Sequence, residues 1–91
     1  MEVYLRYYEK TTEESNEALL NNIDALHTTE LGAERIRKNA DLGDEDVICW
    51  CKMKITDKNA KIMRKGKNWY IENDGYVITV NAKSYTVITV H

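Results

Sequence analysis

The stretch that decides the fold runs from residue 60 to residue 91 and reads AKIMRKGKNWYIENDGYVITVNAKSYTVITVH. Apolar and polar residues alternate here over short runs, and turn-forming residues separate the runs. Such alternation is typical of half-buried β-strands. The pattern predicts four strands, over 61–64, 68–72, 76–81 and 84–91. Because the turns between them are short, consecutive strands must pair antiparallel in a meander.

Upstream of residue 60 the apolar residues recur at helical spacing, which predicts helices over 12–26, 29–39 and 45–56. A threonine of the pair Thr28-Thr29 suits the start of the second helix, and Asp44 suits the start of the third. The stretch 3–8 is rich in β-formers and predicts a short N-terminal strand or an ordered arm. Helices followed by hairpins predict an α+β fold, with about three helices packed on a four-stranded antiparallel meander.

The length of 91 residues predicts a single domain over 1–91, because two shorter halves could not each bury a useful core. No run of about 18 apolar residues and no charged-then-apolar leader occurs, so no membrane partner is expected and a cytoplasmic location is predicted.

Cys49 and Cys51 stand two apart, a spacing poorly suited to a disulfide, and two cysteines alone cannot form a zinc site. We expect reduced thiols, at least one of them buried, and neither a metal site nor a cofactor.

Charge is distributed unevenly along the chain, although the net charge is only −2. The basic segment, residues 52–67, holds seven lysines and arginines against one aspartate, a net charge of +6. A segment of this density is a plausible site for phosphate or for an acidic protein surface. The alternative is a solvated helix end and edge strand, where lysines discourage edge-to-edge pairing.

The last hairpin predicts a polar surface, if Ala82-Lys83 forms a two-residue turn. Thr79 would then lie opposite Thr86 and Asn81 opposite Ser84 on one exposed face of the sheet. The other face would be core, and it would carry Tyr76, Ile78, Val80, Tyr85, Val87 and Thr89. The exposed ladder could bind a ligand or simply meet water.

Three motifs resemble a family of small, uncharacterised bacterial and phage-associated proteins, mostly from Firmicutes. The first is Thr-Glu-Leu-x-x-Glu-Arg-Ile-x-x-Asn at residues 29–39, the second is Lys-Gly-Lys-Asn-x-Tyr at 65–70, and the third is Ile-Thr-x-Asn-x-x-Ser-Tyr-x-x-Ile-Thr at 78–89. Together they cover roughly residues 20–91. The resemblance implies a shared fold and no particular chemistry.

The residues favour a non-enzymatic interaction protein that binds a protein or nucleic-acid partner through the basic segment and the exposed sheet. The resemblance adds a possible role as a phage or mobile-element anti-defence protein, such as an inhibitor of a CRISPR nuclease. The predicted binding residues are Lys61, Arg64, Lys65, Lys67, Thr79, Asn81, Ser84 and Thr86.

A metal-free endoribonuclease is the alternative, because the layout is similar to that of barnase and RelE-type toxins. RNA cleavage without a metal needs a base, an acid and cations for the phosphorane. His27 and His91 would be the acid–base pair, with Arg35, Arg64 and Lys65 as phosphate clamps. Arg35 could instead hold a carboxylate or point to solvent.

The aromatic residues of the predicted strands leave two interpretations open. They could stack bases or anchor an interface, or they could belong to the core, which is the commoner use on a small sheet. The residues concerned are Trp69, Tyr70, Tyr76 and Tyr85.

Overall fold

A computed structural model describes residues 16–91 of the chain, so the predicted strand at 3–8 and the first residues of the predicted first helix lie outside it. Residues 16–21 form the helix that we call α1, and a 3-10 turn follows at Ile23–Ala25. The prediction of one helix continuing to residue 26 is therefore wrong. His27 forms a parallel β-bridge with Thr86, and the His27 N–H donates to Tyr85 O at 3.1 Å. Because this pairing needs extended backbone, the helix must end before His27.

The next two helices are α2 (Glu30–Asn39) and α3 (Val47–Thr56), close to their predicted bounds. Thr29 caps α2, since its Oγ1 accepts a hydrogen bond from the Gly32 N–H at 3.0 Å. Asp46 caps α3, since its Oδ1 accepts from the Cys49 N–H at 2.9 Å. The prediction of Asp44 as the cap is wrong, because only a side chain directly before the helix reaches its free N–H groups.

The Asp46 cap makes stability depend on pH. The hydrogen bond from the Cys49 N–H lowers the pKa of the Asp46 carboxyl, so the folded state favours the charged form. This stabilisation is present above the ordinary aspartate pKa and is lost as pH falls through the lowered value. We expect the melting temperature of the wild type to fall more steeply below about pH 4 than that of Asp46→Asn, which keeps a capping oxygen without titrating. Parallel melting curves of the two proteins across this range would contradict the assignment.

The four strands are β1 (Lys61–Lys65), β2 (Asn68–Asn73), β3 (Tyr76–Asn81) and β4 (Val87–Val90). They form one antiparallel sheet in the order β1-β2-β3-β4, which confirms the predicted meander. Asp74 and Gly75 both have positive φ, 52° and 80°, as a type I′ hairpin turn requires. The helices pack on one face of this sheet, so the predicted α+β fold is confirmed.

The predicted register of the last hairpin is wrong. Thr79 pairs with Thr89 and not with Thr86, and a bulge lies between Thr79 and Val80. The turn is longer than two residues because the Asn81 side chain accepts hydrogen bonds from the backbone of Lys83 and Ser84, both at 2.9 Å, so β4 begins only at residue 87.

The longer turn also changes which residues face the core. Thr89 pairs with Thr79 on the face opposite the helices, so it does not belong to the predicted core face. Thr79 is only 8% exposed, so its predicted place in an exposed ladder is wrong as well. Ile78, Val80 and Val87 are buried as predicted.

One hydrophobic core joins the helices to the inner face of the sheet. Cys51 is fully buried within it, and burial raises the pKa of its thiol to about 12, while Cys49 is exposed. The core is built from Leu19, Leu26, Ile36, Ala40, Val47, Trp50, Cys51, Ile55, Trp69, Ile71, Ile78, Val80, Val87 and Val90.

Over residues 16–91 no helix has the length and apolar character to cross a bilayer.

Candidate anion-binding site

Two turns meet at one end of the sheet and enclose a hollow of about 500 Å³. In a meander the β1–β2 and β3–β4 turns lie at the same end, and the Ala82 N–H donates to Lys67 O at 2.8 Å, which ties these two turns together. The hollow, which we call the cationic end, is lined by Arg64, Lys67, Asn81, Ala82 and Lys83.

Among the described residues that line it, the cationic end has three basic side chains, and none of these lining residues is acidic. The Arg64 guanidinium lies 5.6 Å from the centre of the Trp69 ring, and its Nε donates to Gly66 O at 3.0 Å. Stacking on an aromatic ring fixes a guanidinium while leaving it charged. Gly66 has a φ of 60°, which a residue with a side chain adopts only at a cost, so glycine suits the turn that carries Lys67. The arrangement favours an anion with several oxygens, such as a phosphate.

Asn81 organises the turn that carries Lys83. Its Oδ1 accepts three hydrogen bonds, from the backbone N–H groups of Lys83 and Ser84 and from the Ser84 hydroxyl at 3.1 Å. Tyr85 then turns the chain with a φ of 59°, and its ring packs against Trp69 with centres 5.4 Å apart. The Asn81 side-chain amide therefore helps to position Lys83, together with the backbone hydrogen bond from the Tyr85 N–H to Asn81 O at 2.8 Å.

A chain of hydrogen bonds leads from this turn to His27. Ser84 Oγ lies 2.7 Å from Thr86 Oγ1, which lies 3.1 Å from His27 Nε2. His27 Nδ1 lies 2.9 Å from Ala25 O, and because a carbonyl only accepts, Nδ1 must carry a proton. In a neutral His27, Nε2 then accepts from the Thr86 hydroxyl. The Ser84 hydroxyl, which has a single proton, donates either to Thr86 Oγ1 or to Asn81 Oδ1.

The structure separates other residues that the sequence grouped. Lys61 lies opposite Glu72 at the far end of β1, beside a second hollow that also includes Asp74.

His91 pairs with the backbone of Val77, at the other end of β4 from His27, so the predicted acid–base pair does not form. Five residues of extended chain separate Thr86 from His91, roughly 16 Å.

The basic segment is divided by the fold. Lys52 is paired with Asp24, and Lys54 with Asp74. The hydrogen bond to the Asp74 carboxylate raises the pKa of the Lys54 ammonium.

Arg35 is exposed on α2, so of its two predicted placements the structure shows the solvent-facing one.

Lys83 was missed by sequence reasoning, because it lies 16 positions beyond Lys67 and outside the basic segment. The predicted topology contained the signal, because alternate turns of an antiparallel meander lie at the same end of the sheet. Lys83, in the turn before β4, therefore lies near the cations around the turn before β2. Counting the charges of turns that share an end of the sheet, and not those of a continuous segment, would have identified Lys83.

The fold and the cationic end define a small α+β protein with a cluster of basic side chains at one end of a four-stranded meander. A family model described as "Protein of unknown function (DUF3781)" matches residues 20–91, and the chain belongs to this family. The predicted membership in an uncharacterised small-domain family is thereby confirmed. No curated protein and no solved structure matches the chain.

Proposed function

We propose that this protein is a non-enzymatic interaction protein that binds an anionic macromolecular partner through its cationic end and the neighbouring sheet face. The observation that carries the proposal is the convergence of Arg64, Lys67 and Lys83 on one hollow at the end of the sheet. The net charge of the chain is −2, so attraction to a polyanion must come from such a local cluster. The anti-defence role and the cytoplasmic location stay predictions.

Binding of inorganic polyphosphate tests the charge requirement directly, because this probe offers phosphate oxygens and nothing else. We expect the double variant Lys67→Gln/Lys83→Gln to lose about tenfold in affinity at low salt, since each lysine supplies a charge-assisted contact. The matched control is Lys38→Gln/Lys58→Gln, which removes the same charge from exposed positions outside the hollow. Isothermal titration calorimetry measures both. Equal losses in the two double variants, or no polyphosphate binding by the wild type, would overturn the proposal.

A metal-free ribonuclease is the second candidate, and the hydrogen-bonded chain from Ser84 to His27 is the observation in its favour. His27 Nε2 could accept the 2′-hydroxyl proton of RNA next to the cationic end. Cleavage also needs an acid for the leaving oxygen, and His91 lies elsewhere. Incubation of mixed RNA in EDTA separates the candidates: fragments that His27→Ala no longer produces would establish the enzyme and replace the interaction protein.

A further inference from the structure

The sheet has a second face that none of the described helices covers. Trp69 and Ile71 are 1% and 0% exposed toward the helices, so Tyr70 between them faces the other side. Its cross-strand neighbours there are Met63 and Thr79. We call this surface the open face. It carries residues Lys61, Met63, Lys65, Asn68, Tyr70, Glu72, Val77 and Thr89, and Thr79 lies on the same side but is only 8% exposed.

We propose that the open face binds single-stranded RNA, with a base stacked on Tyr70 and the adjoining phosphates at the cationic end. The inference deepens the proposed function and rests on it. It names the partner as an RNA and assigns to Tyr70 a role that charge alone does not explain.

Tyr70 is placed as a stacking platform should be. It lies on β2, an inner strand of the sheet, and is half-buried, while Met63 beside it is 57% exposed. Asn68 Nδ2 lies 3.5 Å from the tyrosine hydroxyl, at the long limit of a hydrogen bond, and helps to orient the ring. Bases stack on such rings without regard to sequence, because every base has a π-face.

The charges around Tyr70 suit a nucleic-acid strand. Lys61 and Lys65 flank Met63 on the same face, whereas Glu72 is the one acidic residue among the described residues of the open face. Tyr70 is two residues from Asn68, where β2 meets the cationic end, a distance of roughly 7 Å along the strand. A nucleotide stacked on Tyr70 therefore has its neighbouring phosphate within reach of Lys65 and Lys67.

An acidic protein could use the same cations, but it would gain little from an aromatic ring at the centre of the surface. Single-stranded nucleic acid uses both, since its affinity combines phosphate contacts with stacking. Asn68 and Thr89 offer hydrogen bonds at the edge of this surface, and the 2′-hydroxyl of RNA can both donate and accept one. These features favour RNA over an acidic protein and over DNA.

The experiment uses a short fluorescein-labelled oligouridylate and fluorescence anisotropy on the full chain at low salt. We expect Tyr70→Leu to weaken RNA binding about tenfold, because the stacked base is lost, and Tyr70→Phe to bind like the wild type. Polyphosphate binding should be unchanged in Tyr70→Leu. In the wild type, RNA should shift the NMR amide signals of Met63, Tyr70 and Thr89 and leave those of α2 in place, a readout that needs no variant.

Three results would overturn this inference: RNA binding by a folded Tyr70→Leu equal to wild type, equal affinity for DNA of the same sequence, or tighter binding of polyglutamate than of RNA. Amide shifts confined to α2 would do the same if Tyr70→Leu failed to fold. In each case polyphosphate binding that still depends on Lys67 and Lys83 would leave the proposed function standing.

Discussion

Replacement of Trp69 by alanine is expected to lower the free energy of unfolding by about 3–5 kcal/mol, the usual cost of truncating a buried aromatic residue. Trp69 is 1% exposed on the inner face of β2, where the Tyr85 ring and the Arg64 guanidinium pack on it. A domain of this size has a total stability of about 5–15 kcal/mol, so much of it depends on this one side chain. Denaturant unfolding followed by far-UV circular dichroism measures the loss without using tryptophan fluorescence.

Two comparisons define what the Trp69 experiment reports. Among the described residues Trp69 Nε1 has no hydrogen-bond partner, so Trp69→Phe deletes an unsatisfied donor and should cost much less than alanine. Leu31→Ala serves as the control, since Leu31 is 60% exposed on α2 and should change stability by less than about 0.5 kcal/mol. A loss below about 1 kcal/mol in Trp69→Ala would contradict the central place of Trp69 in the core.

Replacement of Asn81 by alanine is expected to lower both stability and anion binding. The change removes the acceptor of three hydrogen bonds, and we expect a loss of about 1–2 kcal/mol in the free energy of unfolding. Without this acceptor the N–H groups of Lys83 and Ser84 lose their partner, while Ala82 stays bonded to Lys67 O, so the turn should loosen and Lys83 should spend less time at the cationic end. Polyphosphate affinity should therefore fall at least to the level of a single Lys83→Gln variant.

Asn81→Asp separates the two effects. Aspartate keeps an oxygen for the turn, so stability should stay close to that of the wild type, while its negative charge in the cationic end weakens polyphosphate binding. Ser84→Ala removes only one of the three hydrogen bonds and should have a smaller effect on stability. If Asn81→Ala kept both wild-type stability and wild-type binding, the turn would not depend on Asn81, and Lys83 would be held by another contact.

Local sequence signals predicted most of the fold because their causes are local. The change from helical to alternating apolar spacing near residue 60 marks the boundary between helices and sheet, as the structure confirms. The pair Thr28-Thr29 predicted the start of α2, and the turn-forming residues 73–75 predicted a short connection between β2 and β3, since both depend on interactions within a few residues. In β2 the structure places Trp69 and Ile71 on the inner side and Tyr70 on the other, as alternation along a strand requires.

Two features of the site were not predicted, and both depend on competition between alternatives close in energy. A two-residue turn at Ala82-Lys83 and a longer turn held by the Asn81 side chain fit the same residues, and the register follows from whichever one forms. Asn73 was also not predicted correctly from its neighbours in the sequence. It belongs to the predicted turn at 73–75, yet its side chain is buried and donates a hydrogen bond to Lys54 O at 3.0 Å, near the end of α3.

The sequence by itself determined the order and type of the elements, the meander, and the excess of positive charge in the basic segment. Only the tertiary structure decided where those charges lie relative to one another and to other side chains. It pairs Lys52 with Asp24 and Lys54 with Asp74, and it brings Lys83 to Arg64 and Lys67. The physical reason is that apolar periodicity acts along the chain, whereas electrostatic interaction depends on distance through space, which only the packed sheet and its turns fix.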